Sequence, residues 1–119
     1  NDGQIELIAE CMNEVKMFNA PVTSDDLKAI LSCKPKVIFR SNNNRYLAFL
    51  FSELSYRNLI TPNWQSVIAN HKLFLSKDKS RDKYLNQGDL ATATNYVKDI
   101  DHVKGYAIID KYIKQLKKL

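Results

Sequence analysis

The chain has 119 residues, of which 45% are hydrophobic and 26% are charged, and its formal net charge is +5. These values are typical of one soluble globular domain, here residues 1–119, that is large enough to bury a core. No apolar run approaches the ~20 residues that a membrane-spanning helix needs, so we expect no contact with a membrane. The two cysteines are too few for a disulfide framework or a zinc site, and we expect reduced thiols in a cytoplasmic protein.

The first predicted element is a helix over residues 3–18, whose apolar side chains share one stripe at helical spacing. The chain opens directly on this helix, which is compatible with a fragment of a longer protein. Its acidic side chains recur every fourth residue, and lysines near the end of the chain form a ridge of opposite sign. We expect these ridges either to be solvated or to pack together, within one chain or across a homodimer. The acidic ridge is Asp2, Glu6, Glu10 and Glu14, and the basic ridge is Lys111, Lys114 and Lys118.

A second helix is predicted to begin after Thr23, because Thr23 and Asp26 have the spacing of a capping box. Lys34 and Pro35 are predicted to end it, since a residue before proline avoids the helical conformation. Residues 36–39 predict a brief strand, because the run is short and rich in β-forming residues.

The third helix has the clearest helical stripe in the chain and is predicted to form the centre of the core. Ser41 or Asn42 is predicted to cap it, and the three asparagines of "SNNNR" indicate caps and turns, with base contact as the alternative. Residues 59–61 are predicted to form a second strand beside residues 36–39. The stripe consists of Leu47, Leu50, Phe51 and Leu54.

A fourth helix is predicted over residues 62–72, because proline is favoured at the first helical position and Thr61 precedes Pro62. The stretch "KLFLSKDKSRDKYL" follows, in which predicted strands 73–75 and 83–85 bracket a charged loop. A fifth helix capped by Asn86 and Asp89 and a last helix over residues 106–118 complete a mainly helical fold with a small β-sheet. The low number of glycines and prolines, three of each, favours this fold class.

Residues 23–85 therefore have the element order of a winged helix-turn-helix, and we expect a core of this kind with helices C-terminal to it. In that motif the recognition helix enters the major groove and the loop contacts phosphates. We expect a non-enzymatic regulatory domain that binds duplex DNA through helix 62–72 and the basic loop 76–83. The alternative is a helical protein-interaction or oligomerisation domain that binds no nucleic acid. The predicted DNA-contacting side chains are Gln65, Asn70, Lys72, Lys77, Lys79, Arg81 and Lys83.

The sequence does not indicate an enzyme, a cofactor or a small-molecule substrate. The chain has no glycine-rich phosphate loop and no GxSxG, HExxH or CxxC motif. Trp64 and His71 share the apolar stripe of helix 62–72, so we expect a core tryptophan and a packed or half-buried histidine. His102 lies near two aspartates in a cluster too generic to predict a metal site.

The segments "VIFRSNNNRYLAFLFSELSYRNLI" and "NWQSVIANHKLFL" resemble a pattern in RteC-like regulatory proteins of Bacteroidetes mobile elements. The resemblance covers about residues 37–98 and rests on the hydrophobic pattern of a strand, a cap and two helices. Asn58 stands where that pattern usually has glycine. The resemblance implies a regulatory role in a conjugative or similar element.

Overall fold

The computed structural model describes residues 2–76, 83–97 and 104–116. The predicted fold class is confirmed, because the described residues are mainly helical and contain one small sheet. None of their helices is both long and apolar enough to cross a lipid bilayer. The helices are α1 (Asp2–Glu14), α2 (Ser24–Leu31), α3 (Asn44–Tyr56), α4 (Trp64–Asn70), α5 (Gln87–Val97) and α6 (Lys104–Leu116), and the strands are β1 (Phe39–Arg40) and β2 (Phe74–Leu75).

The helix starts match the sequence at α2 and α5 and differ at α3 and α4. Helix α4 begins at Trp64 after Asn63, and not at Pro62 after Thr61. Thr23 and Asp26 form the predicted capping box at α2, with both hydrogen bonds at 3.0 Å. At α5 the Asp89 amide donates to Asn86 Oδ1 at 2.8 Å, which confirms that cap. The predicted cap of α3 at Ser41 or Asn42 is wrong, because Asn43 Oδ1 accepts from the amides of Arg45 and Tyr46, the second and third residues of the helix.

Four helices end in the same two-bond arrangement, the Schellman motif, with a non-glycine residue in the left-handed conformation. After α3, the Asn58 amide donates to the Ser55 carbonyl at 3.0 Å and the Leu59 amide donates to the Leu54 carbonyl at 2.9 Å. This use of Leu59 explains why the predicted strand at 59–61 is wrong: its amide completes a helix end. Equivalent bonds close α1, α2 and α4, and the left-handed residues are Lys16, Cys33, Asn58 and Lys72.

The core is centred on α3, as its stripe predicts. Its four stripe residues are at most 4% exposed, and Trp64 and Ile68 of α4 are buried in the same cluster. Phe74 of β2 is fully buried, stacks on Phe18 with ring centroids 4.8 Å apart, and meets Phe51 edge-on at 6.2 Å. Phe51 in turn stacks on Trp64 at 5.7 Å. This line of aromatic rings fixes the small sheet against α3 and α4.

The sheet pairs β1 with β2 in parallel, with Phe39 opposite Phe74 and Arg40 opposite Leu75. The strand predicted over residues 36–39 is present only as Phe39–Arg40, and its partner is β2 instead of the predicted 59–61. On the other edge, Phe18 forms an antiparallel bridge with Ser41. The sheet therefore brings the C-terminal end of α1, the start of α3 and the chain after α4 together.

Helices α1 and α6 pack against each other, as the opposite charges of their ridges suggest. Among the described residues, an ion pair joins Glu14 to Lys111 at 3.6 Å, and Lys118 of the basic ridge lies outside the described residues. At the other end of α1, Asp2 pairs with Lys28 of α2 at 3.2 Å.

Candidate nucleic-acid interface

The two predicted strands that bracket the charged loop meet as the base of an antiparallel hairpin. Leu75 lies opposite Tyr84 in an antiparallel bridge. The Ser76 amide donates to the Lys83 carbonyl at 2.6 Å, and the Leu85 amide donates to the Phe74 carbonyl at 2.9 Å. We call the segment 74–85 the basic hairpin, of which the structure describes the base, residues 74–76 and 83–85. Three of the predicted contact residues, Lys77, Lys79 and Arg81, lie outside the described residues.

Arg40 braces the base of the basic hairpin. Its guanidinium donates to the Ser76 carbonyl at 2.9 Å, and the amide of the next residue, Ser41, donates to the Leu75 carbonyl at 3.0 Å. The sequence pattern alone predicts no role for Arg40. The sequence does place a long basic side chain at the end of an otherwise apolar strand. From that position the side chain can reach across the neighbouring strand.

Lys72 and Lys83 lie at the described part of this surface, and both are exposed. The Lys72 ammonium lies 5.8 Å from the centre of the Tyr84 ring, within the range of a cation–π contact. Tyr84 itself is 40% exposed. Two cations and an aromatic ring therefore lie together at the hairpin base, where the cations suit phosphate binding and the ring suits stacking.

The four predicted residues of helix 62–72 have different surroundings in α4. Trp64 is buried, as predicted, and Asn70 is exposed in the last turn. His71 follows as the C-terminal cap and is exposed, so the prediction of a packed or half-buried histidine is wrong. The amide of Gln65 donates to Thr94 Oγ1 of α5 at 3.1 Å. Gln65 lies about 100° around the helix from Trp64 and is directed towards α5, and its contact with DNA stays a prediction.

Two asparagines of "SNNNR" form hydrogen bonds with backbone groups through their side chains. Asn42 Nδ2 donates to the carbonyls of Lys16 and Phe18, at 3.1 and 2.7 Å. Asn43 caps α3 through its side-chain oxygen. The prediction of caps and turns is confirmed for this pair.

Positive charge dominates the middle of the chain. Residues 27–76 contain seven lysines and arginines and a single carboxylate, that of Glu53. Arg57, one turn along α3, forms an ion pair with Glu53. Because this carboxylate is paired locally, residues 27–76 as a whole carry a net positive charge, which favours the approach of polyanions.

Other chemistry has little support in the described residues. No three histidine, cysteine or carboxylate side chains within residues 2–76, 83–97 and 104–116 come together as metal ligands would. No protein-family model, curated protein or solved structure matches this chain. The function must therefore be inferred from the side chains of the chain itself.

Proposed function

We propose that this chain is a non-enzymatic regulatory domain that binds duplex DNA through the basic hairpin, with α4 beside it. The observation that carries the proposal is the antiparallel pairing of Leu75 with Tyr84. This pairing joins the two ends of the segment 76–83, in which the sequence has four of the predicted basic contacts. The winged-helix-like core over residues 23–85 and the role in a mobile element that the RteC resemblance implies belong to the same proposal.

The charges and the aromatic contacts support a role in phosphate binding. Arg40 and the backbone bonds hold the described base of the basic hairpin in place. Lys72 and Lys83 are exposed beside it. Contacts of lysine and arginine to phosphates supply affinity without sequence preference, so we propose binding that tolerates many DNA sequences.

Asn70 and Gln65 have separate roles in this proposal. Asn70 is exposed and carries an amide that can read a base edge. Gln65 holds α4 to α5 through Thr94 and acts in positioning α4. Replacing Asn70 with alanine should therefore alter sequence preference, whereas Gln65→Ala should lower the free energy of unfolding by about 0.5–1.5 kcal/mol.

The test is a fluorescence-anisotropy titration of labelled random duplex at low salt. The variant Lys79→Ala/Arg81→Ala should weaken binding to every duplex to the same extent. A matched control, Lys114→Ala/Lys118→Ala, removes the same charge from the C-terminal end and should retain most of the affinity. Absence of binding by the unmodified protein, or a larger loss in the control than in the hairpin variant, would reject the proposal.

A further inference from the structure

The side chains of Lys72 and Tyr84 connect the end of α4 to the base of the basic hairpin. The Lys72 ammonium lies 5.8 Å from the centre of the Tyr84 ring. At that distance the electrons of the ring face attract a cation. Lys72 is exposed and Tyr84 is 40% exposed, so this contact lies at the surface, where a polyanion can reach it.

Both side chains of the contact start from a backbone that is held in place. Lys72 is the left-handed residue that closes α4, with φ of 52°, and the next residue, Leu73, is 3% exposed. Tyr84 pairs with Leu75 in the antiparallel bridge, and the next residue, Leu85, is 1% exposed. The starting direction of each side chain is therefore set by buried neighbours and backbone pairing.

The Lys72 ammonium keeps hydrogen-bond donors for a ligand. Among the residues that the structure describes, no carboxylate forms an ion pair with it. An ammonium has three N–H donors and the ring covers one side of it, so the other side can donate to anionic oxygens. A lysine side chain loses rotamer entropy when it binds a phosphate, and the ring contact already restricts the Lys72 side chain. Less entropy is then lost on binding.

We propose that Tyr84 is a positioning residue, which holds the Lys72 ammonium where it contacts a backbone phosphate of duplex DNA. This inference rests on the proposed function and adds the role of the Tyr84 ring. The ring acts on the phosphate through Lys72 and does not stack on a base. The bases of an intact duplex are stacked on one another, so they offer no free face to an aromatic side chain.

The contact itself is tested by NMR on the protein without DNA. The ring current of Tyr84 should shift the Cε protons of Lys72 upfield. Tyr84→Leu should remove this shift, and Tyr84→Phe should keep it. Lys111 is the matched control, because its ammonium lies 5.0 Å from the Tyr112 ring and its shift should stay the same in both variants. A Lys72 shift that Tyr84→Leu leaves in place would overturn the proposal.

The positioning role is tested by fluorescence anisotropy with a labelled random duplex at low salt. Tyr84→Leu keeps the net charge and should weaken binding about two- to fivefold, the change expected for the loss of an exposed cation–π contact. Tyr84→Phe retains the ring and should restore the affinity. In a Lys72→Gln background, Tyr84→Leu should have almost no further effect, because the ring acts through the ammonium.

Three binding results would overturn the proposal. They are independent effects of Tyr84→Leu and Lys72→Gln in the double variant, a failure of Tyr84→Phe to restore the affinity, and a larger loss for a single-stranded oligonucleotide than for the duplex. The last result would show that the ring stacks on bases. Absence of DNA binding by the unmodified protein would reject the proposed function, and with it the phosphate contact. The NMR shift distinguishes that failure from the absence of the contact between Lys72 and Tyr84.

Discussion

Asn13 and Val22 are joined by two hydrogen bonds that imitate the pairing of neighbouring strands. Asn13 Oδ1 accepts from the Val22 amide at 2.7 Å, and Asn13 Nδ2 donates to the Val22 carbonyl at 2.9 Å. A side chain at the end of α1 therefore fixes the backbone just before α2. Val22 is buried, so without Asn13 its amide and carbonyl would lack these protein partners.

Replacing Asn13 with alanine should lower the free energy of unfolding by about 1–2 kcal/mol, the sum of two ordinary hydrogen bonds. Urea titration measures this change. Asn63→Ala is the matched control, since Asn63 precedes α4 and makes no side-chain capping bond. It should cost less than about 0.5 kcal/mol. Equal effects of the two substitutions would show that the two hydrogen bonds of Asn13 contribute nothing to the free energy of unfolding.

Lys16→Gly should stabilise the protein by about 0.5–1 kcal/mol. Lys16 has φ of 50°, a conformation that costs an L-residue roughly 1–2 kcal/mol and costs glycine almost nothing. The greater freedom of glycine in the unfolded chain offsets part of the gain. The control Lys34→Gly removes the same charge just after α2, at a residue whose φ is not positive. This variant should have a lower melting temperature than the unmodified protein. A loss for both variants would contradict the proposed cost at Lys16.

The sequence was most informative where one local rule decides the structure. The stripe of α3 and the caps at Thr23 and Asn86 depend on spacing alone, and these predictions are confirmed. The partner of β1 depends on tertiary packing, because strands of two residues carry no register signal of their own. The predicted strand 59–61 is absent because the end of α3 extends through Asn58 to Leu59. Asparagine tolerates the left-handed conformation, so the sequence has no glycine there to mark the helix end.

At the candidate interface, too, local features could be predicted from the sequence and features that depend on tertiary packing could not. A charged, mainly basic segment between two short apolar clusters predicts a pair of strands, and their antiparallel pairing is present at Leu75 and Tyr84. The direction of Gln65 could not be predicted, because it requires knowledge of where α5 lies against α4. Arg40 was missed for a related reason: its partner, the Ser76 carbonyl, lies 36 residues away in the chain.

Stability should fall as the pH rises from about 9 towards 12, and Cys11 should account for part of this fall. Burial, with a smaller contribution from Glu14 and against the opposing effect of Lys111, raises the pKa of the Cys11 thiol from 9.0 to about 12. In that range the unfolded chain has lost the thiol proton and the folded chain retains it, so the free energy of unfolding declines with pH.

The decline due to this one thiol is at most about 1.4 kcal/mol per pH unit. Burial also raises the pKa of Tyr106 and Tyr112, which adds to the fall in the same direction. Urea titrations from pH 8 to 11 on Cys11→Ala should show a flatter profile than on the control Cys33→Ala. Identical slopes for the two variants would exclude a role for Cys11.

Reversing the charge of Glu14 should lower the melting temperature slightly at low salt, because Glu14 pairs with Lys111 across α1 and α6. The pair is about half exposed, so its contribution should be about 0–1 kcal/mol and should vanish in high salt. Combining Glu14→Lys with Lys111→Glu should restore the melting temperature. Glu6→Lys with Lys111→Glu is the mismatched control, and the changes in melting temperature from these two substitutions should be additive. Additivity of the Glu14 and Lys111 substitutions would contradict the contact.

The most direct test of DNA binding through the basic hairpin is the salt dependence of affinity for a random duplex. Each phosphate neutralised contributes about −0.9 to the slope of log K against log salt, so four hairpin contacts predict a slope of about −3.6. Lys79→Ala/Arg81→Ala should change that slope to about −1.8, because two contacts are lost. Asn70→Ala should leave the slope intact, since an uncharged side chain releases no counterions. A slope that the hairpin substitutions leave unchanged would contradict the account and place the DNA contacts elsewhere on the chain.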